Sequence, residues 1–199
     1  MSTVTEDLRI NMYRTLDYTH DMFGEELELI AATMFSCIEL GNRIVICSTY
    51  GNIGISDLFV QSLNTFLIKR TQNIAAYSLN SDSKYLSLLA TAAGDDIFTK
   101  VYEMVSRKGD ILLLVPGKAP AGDDQSRGAL VSLINSAKKD GNMVICINNV
   151  PDDTYITELL DQDDLCINFS DTGEDDVSAL QLMYMFQHIL RTIKQLTAD

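Results

Sequence analysis

Three short runs govern what this chain can become: residues 43–47 (RIVIC), 111–115 (ILLLV) and 143–147 (MVICI). Apart from Arg43, each is apolar throughout rather than alternating. A strand reads that way when both its faces are covered, which is the situation of parallel strands between two helix layers. A turn signal stands before each run: Gly41-Asn42, Gly109-Asp110 and Asp140-Gly141-Asn142. Two further runs, 74–79 and 165–169, read as additional strands.

Between the strands lie stretches of helical period. Residues 5–21 put Leu8, Met12, Tyr13 and Leu16 near one stripe, and residues 24–40 carry Leu27, Ile30, Ala31, Met34 and Ile38 on another. Helices are predicted from the loop after residue 47 to about residue 69, after Asp82, over 95–107, from about 124 to 139, over 154–160 and over 174–196. Strand–helix alternation with short turns yields right-handed crossovers and a doubly wound sheet. The expected fold is an α/β three-layer sandwich around a five-stranded parallel sheet, flavodoxin-like, with an N-terminal helical pair and a long C-terminal helix. No linker or repeat divides the 199 residues, and a chain of that size makes one domain. It is read as residues 1–40, N-terminal oligomerisation helices, and residues 41–199, the α/β core.

Composition narrows the function classes. The formal net charge is −13. Such a field repels DNA and RNA, so direct nucleic-acid binding is not expected. Ten acids fall in residues 152–176 without a Lys or Arg, either a solvated face or a docking surface for a basic protein partner. No apolar run approaches the ~20 residues that span a bilayer, and residues 1–14 mix charges unlike a secretory signal, so no membrane partner and a cytoplasmic chain are expected. Cys37, Cys47, Cys146 and Cys166 form no C-x-x-C pair and read as buried, reduced thiols. The last helix shows Leu180, Met183, Tyr184, Phe186 and Leu190 around more than half its circumference. One sheet face cannot cover that, and self-association as a homodimer or homotetramer is the natural sink.

In doubly wound sheets ligands sit beyond the carboxyl ends of the strands. That directs attention to residues 48–56, 80–84 and 116–124.

At this point the chain resembles a known family, the sugar isomerase (SIS) domains, in the branch of phosphoheptose isomerase and the non-enzymatic replication-initiator-associating protein. The similar stretches are GNRIVICSTYG (41–51), AAYSLNSD (75–82), DDIFTKVYEMVSRKGDILLLV (95–115) and INSAKKDGNMVICI (134–147). They span about residues 5–197. The resemblance implies a sugar-phosphate site on two hydroxyl-rich loops and an isomerase that moves a proton with a helix Glu and a last-helix His, some members holding zinc there.

Carried over position by position, the expectations are uneven. The family's Gly-Asn-Gly-x-Ser falls on residues 48–52 without a gap, or on Gly51, Asn52, Gly54 and Ser56 with one insertion. Thr49, Gly51, Asn52, Ser56, Asp82, Lys118 and Gln181 are therefore the candidate ligand-binding residues. The Ser-Thr-x-Gly-x-Ser loop is replaced by residues 116–121, Pro-Gly-Lys-Ala-Pro-Ala, with no hydroxyl left and two backbone donors removed by proline. The family's Glu falls on Ser62, a nearby His on Leu58, a helix Arg on Phe66 and an Asn-Asp pair near Thr91-Ala92. Gln181 and His188 echo its Gln and His, seven residues apart rather than eight, still on one helix face.

The expectation is a phosphosugar-binding-type protein with a degenerate catalytic site, no firm catalytic residue and no zinc, acting by binding or scaffolding. The alternatives are an isomerase using His188 with Asp57, Gln61 or a neighbouring subunit's carboxylate, and a sugar-phosphate sensor.

Overall fold

A computed structural model describes residues 3–71, 74–81, 97–118, 124–149, 155–169 and 175–198. Within them the order is α1 (Thr3–Glu39), β1 (Ile44–Ser48), a short helical turn (Tyr50–Asn52), α2 (Ile53–Thr71), β2 (Ala76–Ser78), α3 (Ile97–Val105), β3 (Ile111–Val115), α4 (Asp124–Lys139), β4 (Met143–Asn148), a second short turn (Thr157–Leu159), β5 (Leu165–Asn168) and α5 (Asp175–Leu196). The predicted short helix after Asp82 lies outside the described residues.

The five strands are all parallel, in the order β2-β1-β3-β4-β5. Every residue of β1 and of β3 is buried, and all but Ser48 at the end of β1 are apolar. One core layer packs Ile44, Ile46, Leu113, Val115 and Ile145 against α1, α2 and α5. The other packs Val45, Cys47, Leu112, Leu114 and Cys146 against α3, α4 and residues 155–160. The result is a three-layer sandwich. The chain order reverses between β1 and β3, so the crevice above their carboxyl ends is the switch point of the sheet. No helix among the described residues is long and apolar enough to cross a membrane.

One prediction is corrected. Instead of a helical pair, residues 3–39 form a single helix of 37 residues. Gly24 does not break it. Helix-interior glycine costs only about 1 kcal/mol, and the flanking stripe from Leu27 to Ile38 is buried, which offsets that cost. The true stop is at Gly41. Its φ of +82° suits glycine. The Gly41 amide donates to the Ile38 carbonyl over 2.9 Å and the Asn42 amide to Cys37 over 3.1 Å, closing the helix and aiming the chain into β1.

The acidic stretch contributes to the framework. Asp164 accepts from the Val144 and Asp161 amides over 2.7 and 2.8 Å. Lys138 reaches both Asp161 (2.6 Å) and Asp164 (2.8 Å). Burial opposes the charge of Lys138, and the two carboxylates overcome it and raise its pKa.

Candidate functional site

The switch-point crevice is built by β1 and β3 and then narrowed by their loops. Ser48 ends β1, and its amide and hydroxyl both donate to Asn80 Oδ1, over 2.9 and 3.1 Å. The Asn80 side-chain Nδ2 returns a bond to the Ser48 carbonyl over 2.9 Å. That ties the loop after β2 to the end of β1. Tyr50 follows with φ of +52°, a left-handed conformation rare for an aromatic residue, and starts the turn into α2.

The candidate ligand residues Thr49 and Asn52 both bond to the facing loop. The Gly117 amide donates to Thr49 Oγ1 over 2.8 Å, and the Asn52 side-chain amide donates to the Pro116 carbonyl over 2.9 Å. Both side chains are buried. Gly117 makes this possible: a Cβ there would stand 2.5 Å from the Thr49 carbonyl oxygen and 3.3 Å from the Tyr50 Cβ. The two loops that cradle a phosphate in the resembling family are thus clamped against each other. Ser56 is 0% exposed, and its hydroxyl has no hydrogen-bond partner. Asp82 and residues 119–123 lie outside the described residues.

What stays open is a cavity of about 190 Å³ lined by Gly51, Asn52, Gly117, Lys118, Asn149, Ser178 and Ala179. Of the sequence candidates, Gly51, Asn52 and Lys118 meet there. Among the described residues, Lys118 is the only charged group in that lining. Asn149 and Ser178 were not anticipated. The Asn149 side-chain oxygen is buried without a partner, and rotating the amide offers either a donor or an acceptor. The signal that could have found Asn149 is the same carboxyl-end rule applied to β4, the neighbour of β3. Ser178 sits in the first turn of α5, where only the three-dimensional course of the chain reveals its place. The volume falls short of the ~300 Å³ at the low end of ordinary ligand pockets. It suits a phosphate-sized group or a small polar fragment.

Gln181 and His188 do share one face of α5, and that face meets α1. Gln181 is 1% exposed and donates to Thr19 Oγ1 over 3.3 Å, leaving its oxygen unpaired. The His188 ring lies 5.7 Å from the His20 ring and 6.1 Å from Tyr184, centroid to centroid. The Tyr184 hydroxyl is 3.0 Å from His20 Nδ1. Burial, then the charges of His20 and Arg191, lower the His188 pKa, and Glu28 opposes them. By helical rise His188 is about 15 Å along α5 from Ser178, and it is not part of the cavity lining.

The positions matching the family's catalytic helix sit on α2. Ser62 is half-buried and Leu58 is exposed. Phe66 packs on the core and carries Lys194 over its ring at 5.5 Å. Neighbouring Asp57 accepts hydrogen bonds from the Ser78 and Ser81 hydroxyls, over 2.6 and 2.9 Å. A leucine and a serine offer no carboxylate or imidazole, and among the described residues no three His, Cys, Asp or Glu side chains converge as metal ligands. Neither Ser62 nor Leu58 can ligate zinc.

Comparison with known proteins agrees with this architecture. No protein-family model matches the chain. It is 25% identical over 167 residues to the phosphoheptose isomerase of Colwellia psychrerythraea, covering 83% of this chain and 81% of that protein. It is 31% identical over 108 residues to the Dechloromonas aromatica phosphoheptose isomerase, covering 52% and 53%. Among solved structures, the phosphoheptose isomerase of Neisseria gonorrhoeae superposes with a TM-score of 0.76 at 16% identity, covering 97% of this chain and all of that one. That of Francisella tularensis gives 0.73 at 17% identity over 98% and 100%.

Proposed function

From its standing as a phosphoheptose isomerase-like protein with the SIS fold, we infer that this chain acts by binding rather than by isomerisation. The observation that carries the reading is the clamp. Thr49 and Asn52, the polar residues at the first phosphate-loop position, are spent on the backbone of Gly117 and Pro116. The Thr49 hydroxyl keeps its own hydrogen to donate, but the residue is buried and is not among those lining the cavity.

The missing proton-transfer groups support the same reading. Aldose–ketose isomerisation needs a base on one carbon and an acid on the carbonyl oxygen. Ser62 and Leu58 supply neither, and His188 is engaged at the α1–α5 seam with His20 and Tyr184.

The site is nevertheless furnished for a small polar ligand. Asn149, Lys118 and Ser178 converge on one cavity. This favours, as second reading, a sugar-phosphate sensor in which occupancy shifts the stability of a self-assembled form. The self-association reading rests on the apolar residues left exposed on the long helices, Tyr13, Tyr18, Met22 and Leu29 on α1 and Met183 on α5. A cytoplasmic location and a basic protein partner stay part of the proposal. Asp164 is buried against Lys138, whereas Asp161, also paired with Lys138, stays exposed.

A coupled isomerase assay on sedoheptulose 7-phosphate, run beside thermal shift with a phosphosugar panel, tests these readings. We expect no turnover above a heat-inactivated control. A rise in Tm with one phosphosugar, lost in Asn149→Ala, supports the sensor; no rise with any of them supports a scaffold. Turnover that disappears in His188→Ala overturns the non-catalytic reading and leaves the fold intact.

A further inference from the structure

Outside the candidate cavity, the chemistry that stands out is a pair of sulfurs. Cys146 and Cys166 are register partners on the neighbouring parallel strands β4 and β5. Residues paired in that way project to the same face of the sheet. Both side chains join the core layer beneath α4 and residues 155–160. Cys146 is fully buried, and Cys166 is partly exposed. The next rung on the same face is also a matched polar pair, the Asn148 amide donating to Asn168 Oδ1 over 3.0 Å. Two matched rungs thus run up the last ladder of the sheet, thiol on thiol and amide on amide.

We propose that Cys146 and Cys166 form an oxidisable dithiol that closes to a reversible disulfide across the β4–β5 ladder. Cys166 is the attacking thiol, because it alone of the pair reaches solvent. Its hydrogen bond with Cys146, aided by Asn168, holds its pKa below the ordinary value against the effect of burial, while the same bond and burial raise that of Cys146. With hydrogen peroxide as oxidant, the Cys166 thiolate attacks one peroxide oxygen. The O–O bond breaks, and the sulfur becomes a sulfenic acid as hydroxide leaves and is protonated to water. The Cys146 sulfur then attacks the sulfenic sulfur. The S–O bond breaks, the S–S bond forms, and the leaving hydroxide takes the Cys146 proton as water. Two thiols and one peroxide yield one disulfide and two waters.

The geometry also decides how stable the bond is. Neighbouring strands stand about 4.8 Å apart, inside the ~4.4–6.8 Å Cα range of disulfides. The Cβ atoms, however, must close to ~3.5–4.5 Å. Among the described residues β5 is paired only with β4, so it can yield inward at the cost of strain. A strained, half-exposed disulfide is readily reduced, which makes this a switch rather than a staple. Cys37 and Cys47 are internal controls. Burial pushes each thiol up to about 12, aided at Cys37 by the charge of Asp110, and neither faces another sulfur in this way.

The test uses the full-length protein, exposed to hydrogen peroxide, unfolded, and capped with N-ethylmaleimide. Before oxidation all four thiols take the label. Afterwards we expect two unlabelled cysteines, a cross-linked peptide pair containing Cys146 and Cys166, and full recovery on adding dithiothreitol. Cys166→Ser should keep its three remaining thiols labelled. The proposal is overturned if Cys166 runs on to sulfinic acid while Cys146 stays labelled, if the cross-link joins two protein molecules, or if all four thiols survive. The wild-type peptide map alone decides this, so the outcome does not depend on how well a variant folds.

Discussion

Thr49 and Gly117 are 68 residues apart in the chain and are joined by one hydrogen bond of 2.8 Å, from the glycine amide to the threonine hydroxyl. That bond holds the loop after β1 against the loop after β3, over the point where the sheet reverses its order. Gly117→Ala tests the packing around it directly. The added methyl meets the Thr49 carbonyl oxygen at 2.5 Å, a backbone atom that cannot retreat without breaking the clamp. A loss of about 2 kcal/mol is expected, read as a lower urea midpoint with an unchanged slope. Wild-type stability in this variant would mean the two loops are not in contact.

Gln181 separates a structural role from a binding one. Its oxygen is buried and unpaired, and its amide makes one long bond to Thr19, whose hydroxyl already donates to the Thr15 carbonyl over 2.7 Å. Gln181→Met keeps the volume and removes the unsatisfied group. Stability should stay level or rise by up to about 1 kcal/mol in chemical denaturation. A clear loss of stability would assign the amide a partner beyond Thr19.

His188 makes the α1–α5 seam sensitive to acid. Its pKa is lowered in the folded chain by burial first and then by His20 and Arg191. The unfolded chain therefore binds the proton more readily. The stability that neutral His188 contributes is complete above its ordinary value of 6.5 and is lost as the pH falls below it toward the lowered folded value. Thermal melts from pH 8 to pH 5 should show a decline that is smaller in His188→Gln, which carries no titrating ring. Parallel curves for the two proteins would remove His188 from the acid response.

The exposed apolar residues of α1 make self-association measurable. Tyr13 is 62% exposed and Met22 51%, on a helix half whose neighbours among residues 9–14 are all exposed. Tyr13→Lys with Met22→Lys should lower the molar mass seen by light scattering while the helical circular dichroism stays unchanged. An equal mass for variant and wild type would move the contact elsewhere.

Much of this fold is legible in one dimension, because the forces that specify it are local. β3 occupies the predicted residues 111–115, β4 and β5 differ from expectation by a single residue at one end, β1 is displaced by one residue at both ends, and β2 is shorter than expected, at 76–78 rather than 74–79. A strand buried on both faces must be apolar at every position, and a chain stop with φ of +82° calls for glycine. Both leave marks that can be read residue by residue. α1 runs on through Gly24 for the converse reason: a local penalty of about 1 kcal/mol gives way to burial along the whole stripe.

The site was legible only as a neighbourhood. The carboxyl-end rule led to residues 48–56 and 116–124, and Gly51, Asn52 and Lys118 do line the cavity. The sequence alone could determine which residue types stand there and which are missing: no carboxylate at Ser62, no imidazole at Leu58, no hydroxyl among residues 116–121. Tertiary structure decided what the remaining polar groups do. Thr49 and Asn52 bond to backbone 68 and 64 residues away, Gln181 to a side chain 162 residues away. A hydroxyl or amide carries no sign of its partner in the chain. Whether it faces a ligand or a neighbouring loop depends on which atoms the fold brings within about 3 Å of it.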